Sequence, residues 1–253
     1  MITARTNIRS ALGRDGYCLV PAAEFELERR AAAAFCAFQE LWAALEPDAY
    51  IKATPPRRLR RHAQFRYQPS TGQLSQLPNS PYYQSLRSNP LYGGKPREFA
   101  PFTSDAANNR FFRDLVEFNL LQFPEFHDTV DVHAHMVRIV GRIKVAGEPS
   151  PEGMHQDGFD FISIHLIGRS NVSGGETVIR GSAGDVVARV TLTSPMDSIY
   201  MDDRLLYHST SAISPAGPGD AARDVLLLSY DQAKLGDGAP APSDGGRVVH
   251  EKG

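Results

Sequence analysis

From about residue 131 apolar residues fall at alternate positions in short runs broken by Gly, Pro, Asn and Asp, the period of strands with one buried face. The runs are "DVHAHMVRIVGRIKV", "FDFISIHLIG", "GETVIRG", "DVVARVTL", "DSIYM", "LLYHSTSAI" and "RDVLLLSYDQ". Seven strands within about 100 residues, with no helical period between them, predict two packed sheets in a jelly roll rather than alternating βαβ units.

Upstream the pattern is different. "EFELERRAAAAFCAFQELWAALEPD" (24–48) is rich in Ala, Leu and Glu and ends near a Pro, which predicts a helix. "SDAANNRFFRDLVEFNLLQF" predicts a second one, with Ser104 as N-cap and Phe111, Leu115 and Phe118 on one face. The basic stretch between them, "TPPRRLRRHAQFRYQPSTG", reads as a solvated loop and strand. The expected organisation is one domain over 1–253, mainly β with flanking helices. Residues 1–125 form a largely helical cover, 131–231 the jelly-roll core, and 232–253, made of small and turn-forming residues, a flexible tail.

Composition narrows the partners. With 27 basic and 29 acidic side chains the chain carries a formal charge of −2, so it has no overall field for nucleic acid or an anionic membrane, and a small-molecule substrate is expected. No run of about 18 uncharged apolar residues offers a membrane span, and the N-terminal stretch has no apolar signal core, which predicts a cytoplasmic protein. Cys18 and Cys36 are too few for a disulfide scaffold and read as reduced thiols. Oligomeric state leaves no mark in the sequence.

The chemistry lies in "EGMHQDGFDFISIHLIGR" (152–169). On a strand, His155 and Asp157 share a face and can aim an imidazole nitrogen and a carboxylate oxygen at one point. His208, in "LLYHST", supplies a third donor. Two histidines and one carboxylate make the facial triad of non-haem Fe(II) oxygenases, with three coordination positions left open. Iron so held keeps net positive charge, which suits a dianionic chelator such as 2-oxoglutarate, whose far carboxylate then needs a cation. Arg223 is the only basic residue between His208 and Lys234. If its strand pairs with that of His208, its guanidinium reaches the carboxylate with two hydrogen bonds. The competing reading is that Arg223 and Asp224 each find local surface ion pairs. Thr210 can add a hydroxyl to the co-substrate or serve only as a strand residue.

Together, "PEGMHQDGFDFISIHLIGRSNVSGGETVI", "DDRLLYHSTSAISP" and "RDVLLLSYDQ" resemble the bacterial Fe(II)/2-oxoglutarate dioxygenases of the L-isoleucine dioxygenase group, which hydroxylate free L-amino acids. The resemblance covers roughly 131–231. It implies a double-stranded β-helix (cupin-like) core, Fe(II) on the positions matching His155, Asp157 and His208, and 2-oxoglutarate on the position matching Arg223. It also implies O2 as oxidant, ascorbate as reductant, and succinate and CO2 as co-products. The N-terminal part, with "RRLRRHAQFRYQP", resembles the portion that covers the core and helps shape the substrate pocket in that group.

An amino-acid substrate needs a cation for its carboxylate, for which Arg66 and Arg138 are candidates, and an acceptor for its ammonium group, for which Asp231 is one. A structural ion pair is the competing role for each. His133 and His135 are expected in the core or pocket wall, and His165 as a hydrogen-bonded core residue. The expected function is hydroxylation of a free aliphatic L-amino acid. The alternatives are the same chemistry on an N-acylated or carrier-bound amino acid, and a cupin-like binder that performs no oxidation.

Overall fold

A central antiparallel sheet with two unlike faces organises the molecule, and the computed structural model describes residues 1–233 apart from 125 and 127. The N-terminal elements are β1 (Ile2–Ala4), α1 (Ile8–Asp15), β2 (Tyr17–Val20), β3 (Phe25–Leu27), α2 (Arg29–Glu40), β4 (Glu46–Pro47), β5 (Arg58–Gln68), β6 (Gln73–Gln76), α3 (Ser104–Asn108) and α4 (Arg110–Gln122). The core adds β7 (Val130–Gly141), β8 (Phe161–Ser170), β9 (Val172–Gly174), β10 (Glu176–Gly181), β11 (Val186–Thr191), β12 (Ser198–Asp202), β13 (Leu206–Thr210), β14 (Ile213–Pro215) and β15 (Ala221–Gln232). The large sheet runs β2-β12-β8-β15-β7-β5-β4, with β6 on β5; a smaller one runs β11-β10-β13. This is the double-stranded β-helix that the alternating pattern predicts.

Alternation sorts the large sheet's side chains. Phe65 of β5, Val132, Ala134 and Met136 of β7, and Leu226, Leu228 and Tyr230 of β15 pack outward into one core with α2 and α4. Val137, Ile139, Ile162, Ile164 and Val225 face inward into a second core that includes Ile179 of the small sheet. The helices dock through aromatic rings: Phe38 lies 5.8 Å from Phe111 and 5.9 Å from Phe112, which in turn sits 5.1 Å from Phe65. Burying one such ring contributes about 1.5–3 kcal/mol. Asn119, fully buried on α4, bonds the helix to the sheet. Its amide nitrogen donates to Ser163 Oγ (3.1 Å) and Tyr230 OH (2.9 Å), and its oxygen accepts from Tyr200 OH (2.9 Å).

Four expectations change. The N-terminal cover is not largely helical, because β5 is an eleven-residue strand fully integrated beside β7. The helix predicted over 24–48 is shorter, since Phe25–Leu27 pairs with β1. The second predicted helix is two. Thr103 caps the first, and Asn109 leaves helical geometry (ψ 128°) and caps the second by accepting from Phe112 N. Finally, the strand of His208 does not pair with that of Arg223: β13 pairs with β10, while β15 lies between β7 and β8. The expected tail beyond residue 233 lies outside the described residues. Both cysteines are free thiols, and no helix among the described residues is long and apolar enough to cross a membrane.

Candidate active site

Between the two sheets lies a cavity whose floor is the inward face of β5, β7 and β15. Register sets this floor in rows. Arg223, Ile139 and Arg58 stand opposite one another, then Val225, Val137 and Arg60, then Leu227, His135 and His62. The wall opposite carries His208 on β13.

His155 and Asp157 are not on a strand, as their spacing suggests, but in the segment before β8. Pro149, Pro151 and the left-handed Gly153 and Gly158 prevent a continuous ladder there. At Gly158 (φ +90°) a Cβ would also meet Ser88 Oγ at 2.5 Å, so the ligand loop turns where only glycine fits. His155 is nevertheless fixed, because its N–H donates to the His208 carbonyl (3.0 Å) and its carbonyl accepts from the His208 N–H (2.9 Å). His155 Nδ1 donates to the Gly153 carbonyl (2.9 Å), which leaves Nε2 for the cavity. Donor atoms of His155, Asp157 and His208 all lie within 4.8 Å of one another; His155 Nε2 and His208 Nε2 are 3.6 and 3.9 Å from the Asp157 oxygens. Two neutral imidazoles and a carboxylate on one side are the donor set of a facial Fe(II) site.

Asp203, buried beneath this loop, holds it in place. Its Oδ1 accepts from Asp157 N (3.0 Å) and its Oδ2 from Gly158 N (2.6 Å) and Phe159 N (3.0 Å). Sequence reading missed Asp203, since no spacing marks a carboxylate that binds backbone 46 residues upstream. Burial and the charge of Asp157 push the Asp203 carboxyl up to about 7, against the pull of those three N–H groups. Burial also pushes Asp157 up, but the His155 hydrogen bond and the charges of His208, His155 and Arg60 outweigh it and hold Asp157 down to about 2. His155 is raised to about 9, burial being overcome by Asp157 and Glu152, while His208 is lowered to about 4 by burial and the charge of His155. A cation arriving at the cluster therefore meets a ready carboxylate and displaces a proton from His155.

Arg223 shares the cavity and is 3% exposed, and its Nε and Nη2 have no hydrogen-bond partner among the described residues. Asp224 does not explain it, because both Asp224 oxygens accept from Arg138 at 2.7 Å on the other side of the sheet. A buried guanidinium with two idle donors fits a carboxylate ligand held by two bonds. Thr210 also lines the cavity, its hydroxyl 2.9 Å from that of Thr177.

The three suggested substrate residues lie elsewhere. Arg138 belongs to Asp224, since its strand parity is opposite to that of His135, Val137 and Ile139, which line the cavity. Arg66 has the cavity-facing parity of β5 but sits at the strand's far end, bonded to Asp131 at 2.7 and 2.8 Å. Asp231, at the distal end of β15, accepts from Asp160 N (2.8 Å). The cavity is lined instead by residues of the supposed solvated stretch and of the following loop, notably Arg58, Arg60, Tyr82, Gln84 and Arg97. Arg58 and Arg60 are a strand period apart in "RRLRR", and that spacing was the available signal. Arg97 pairs with Tyr82 through backbone bonds of 2.7 and 2.8 Å, which folds the loop over the mouth. Gln84 Nε2 ties the loop to the Asp157 carbonyl (3.0 Å). His135 lines the cavity, His133 packs against His62 and Phe159 with ring centroids 5.5 and 5.1 Å away, and His165 is a buried residue with Nδ1 2.7 Å from Ser198 Oγ.

A facial donor set beside an unpaired buried arginine in a double-stranded β-helix defines a class of non-haem iron oxygenase. The chain belongs to the 2OG-Fe dioxygenase family, whose model matches residues 39–229, and members of that family use Fe(II), 2-oxoglutarate and O2. Among individual relatives, it is 23% identical over 185 residues to the 3(1)-hydroxy-L-isoleucine 4-dioxygenase of Pantoea ananatis (strain AJ13355), covering 71% of this chain and 74% of that protein. A bsmA homolog from Methylobium petroleophilum PM1 superposes with a TM-score of 0.80 at 30% identity, over 94% of this chain and 96% of the other. IDO from Bacillus thuringiensis shares the fold, with a TM-score of 0.76 at 18% identity over 90% and 98% of the two chains.

Proposed function

We propose that this dioxygenase hydroxylates a free aliphatic L-amino acid in the cytoplasm, with His155, Asp157 and His208 holding Fe(II) and Arg223 holding the far carboxylate of 2-oxoglutarate. The observation that carries the reading is Arg223, buried and with Nε and Nη2 unpaired in the cavity that also contains the three donors. Iron with 2-oxoglutarate and O2, when bound, supplies the oxidation, one oxygen going to the substrate and the co-substrate leaving as succinate and CO2.

The chain's own residues do the placing. Asp203 fixes the backbone of the Asp157 loop, and the His155–His208 backbone pair fixes the two imidazoles relative to each other. Val137, Ile139, Val225 and Leu227 of the floor, with Ile164 of β8, form an apolar strip between the charged residues, against which a C–H bond can be held close. Thr210 adds a hydroxyl to the cavity lining. That apolar strip also suits an aliphatic side chain, and the Pantoea relative is named for a hydroxylated isoleucine.

The test is succinate formation by anaerobically iron-loaded protein given 2-oxoglutarate, ascorbate and O2, with and without a pool of the common L-amino acids. Succinate should rise with the pool. Slow succinate indifferent to the pool would redirect the search to N-acylated or carrier-bound amino acids, and none at all, with iron bound, would leave a non-oxidative binder.

A further inference from the structure

The cavity holds more guanidinium groups than the co-substrate requires. Besides Arg223 it is lined by Arg58, Arg60 and Arg97, and all three are at least nine-tenths buried. Arg60 has a partner in Asp48, 3.4 Å away, and lies over the Phe99 ring at 4.7 Å. Arg58 and Arg97 have no carboxylate partner among the described residues. Arg58 donates through Nη2 to the Pro149 carbonyl (3.0 Å) and Arg97 through Nη2 to Gln84 Oε1, while the Nε of each is buried and idle. Asp48 and Glu152 line the same cavity and act on both guanidiniums from a distance, but neither closes an ion pair with Arg58 or Arg97, and a buried guanidinium with an idle Nε donor is matched best by a carboxylate.

This pair stands apart from Arg223. Arg58 occupies the same row as Arg223, with Ile139 between them, and two strand spacings put their backbones about 10 Å apart. Arg97 reaches the cavity from the loop over the mouth, where its guanidinium lies 5.2 Å from the Tyr82 ring centroid and 6.0 Å from that of Tyr92. Ile139 and Val137 lie between the two charged ends, an apolar stretch suited to a hydrocarbon side chain.

We propose that Arg58 and Arg97 clamp the α-carboxylate of the substrate and so restrict the enzyme to amino acids whose carboxyl group is free. This rests on the reading of the cavity as an amino-acid oxygenase site and decides among its substrates: an amino acid held as a thioester on a carrier has no carboxylate to fill the clamp, and an amide has none either.

The experiment is equilibrium binding of L-isoleucine and of L-isoleucinamide to anaerobic protein saturated with Fe(II) and 2-oxoglutarate, for the wild type, Arg58→Met and Arg97→Met. Both variants keep the apolar stem of arginine, and their 2-oxoglutarate affinity and far-ultraviolet circular dichroism report whether they are folded. Losing one side of a buried charge pair should weaken L-isoleucine at least about 30-fold in each variant. The amide should bind the wild type at least as weakly, and 2-oxoglutarate affinity should stay within about threefold. Equal binding of acid and amide, or unchanged L-isoleucine affinity in both folded variants, overturns the clamp. If the wild type ignores L-isoleucine, the aliphatic amino-acid reading falls, and the same titrations with N-acetyl-L-isoleucine and L-glutamate decide the clamp. A carboxylate bound in an Arg58- and Arg97-dependent way upholds it, and failure of all three carboxylates ends it.

Discussion

Asp203 should govern both the stability of the metal-free protein and its hold on iron. Asp203→Asn keeps the side chain's shape but replaces one carboxylate oxygen with an NH2 group. The native carboxylate accepts three consecutive backbone N–H groups, one on Oδ1 and two on Oδ2. The better amide rotamer turns its oxygen toward Gly158 and Phe159, which leaves the NH2 facing the Asp157 N–H, donor against donor. One buried N–H then loses its acceptor, at about 1–3 kcal/mol, and the two remaining bonds lose their charge assistance, about 1 kcal/mol each. Burial and the repulsion from Asp157, which together raise the Asp203 carboxyl, no longer act on a neutral amide, and this returns part of the loss. The net expectation is a loss of about 2–4 kcal/mol in denaturant unfolding of the metal-free protein. Because the displaced backbone is that of Asp157 itself, Fe(II) affinity measured by anaerobic titration should fall about 10- to 100-fold. A variant within about 0.5 kcal/mol of wild-type stability and within threefold in iron affinity would refute the argument that Asp203 orders the loop.

Asp157→Ala should abolish Fe(II) binding and succinate formation; near-normal turnover would remove Asp157 from the triad. Arg223→Met should raise the apparent KM for 2-oxoglutarate at least about 30-fold while iron affinity stays nearly constant, and an unchanged KM would return Arg223 to a structural role. His165 is held down to about 3 by burial, so below about pH 6.5 the unfolded chain takes up a proton that the folded chain refuses. The His165 contribution to stability should therefore fall as pH drops from about 6.5 toward 3, by up to about 1.4 kcal/mol per pH unit, and be constant above. His165→Gln should flatten that slope relative to wild type in paired urea titrations, and parallel slopes would count against it. Phe112→Ala, which empties the contact between α4 and β5, should cost about 3–5 kcal/mol in the same assay.

The jelly roll was legible because the pattern behind it is local: each core strand announces its buried face within a few residues, and β7, β8, β12 and β15 fall where the alternation puts them. Pairing order was not, since nothing in "LLYHST" and "RDVLLLSYDQ" says that their strands belong to different sheets. The triad could be proposed from residue type and spacing, yet the reason offered for it was incomplete. His155 and Asp157 converge through a glycine-turned loop held by Asp203, and that bond spans 46 residues. The substrate side was misjudged because arginine-rich segments are usually solvated. In β5 the arginines at 58 and 60 turn inward while Leu59 turns out, and only the fold reveals which parity faces the cavity. Arg66 and Arg138 were plausible by charge alone, but each is already committed to an aspartate on the neighbouring strand.

The strict alternation along β5 has an evolutionary consequence. Ala63 and Phe65 anchor the outer core, whereas Arg58, Arg60 and His62 look onto the cavity floor or its edge. Foldability and substrate choice are thus written on the same eleven residues but at interleaved positions. Mutation can sample one set while leaving the other intact, so this single strand lets a lineage of such enzymes change what it oxidises without first having to rebuild the scaffold.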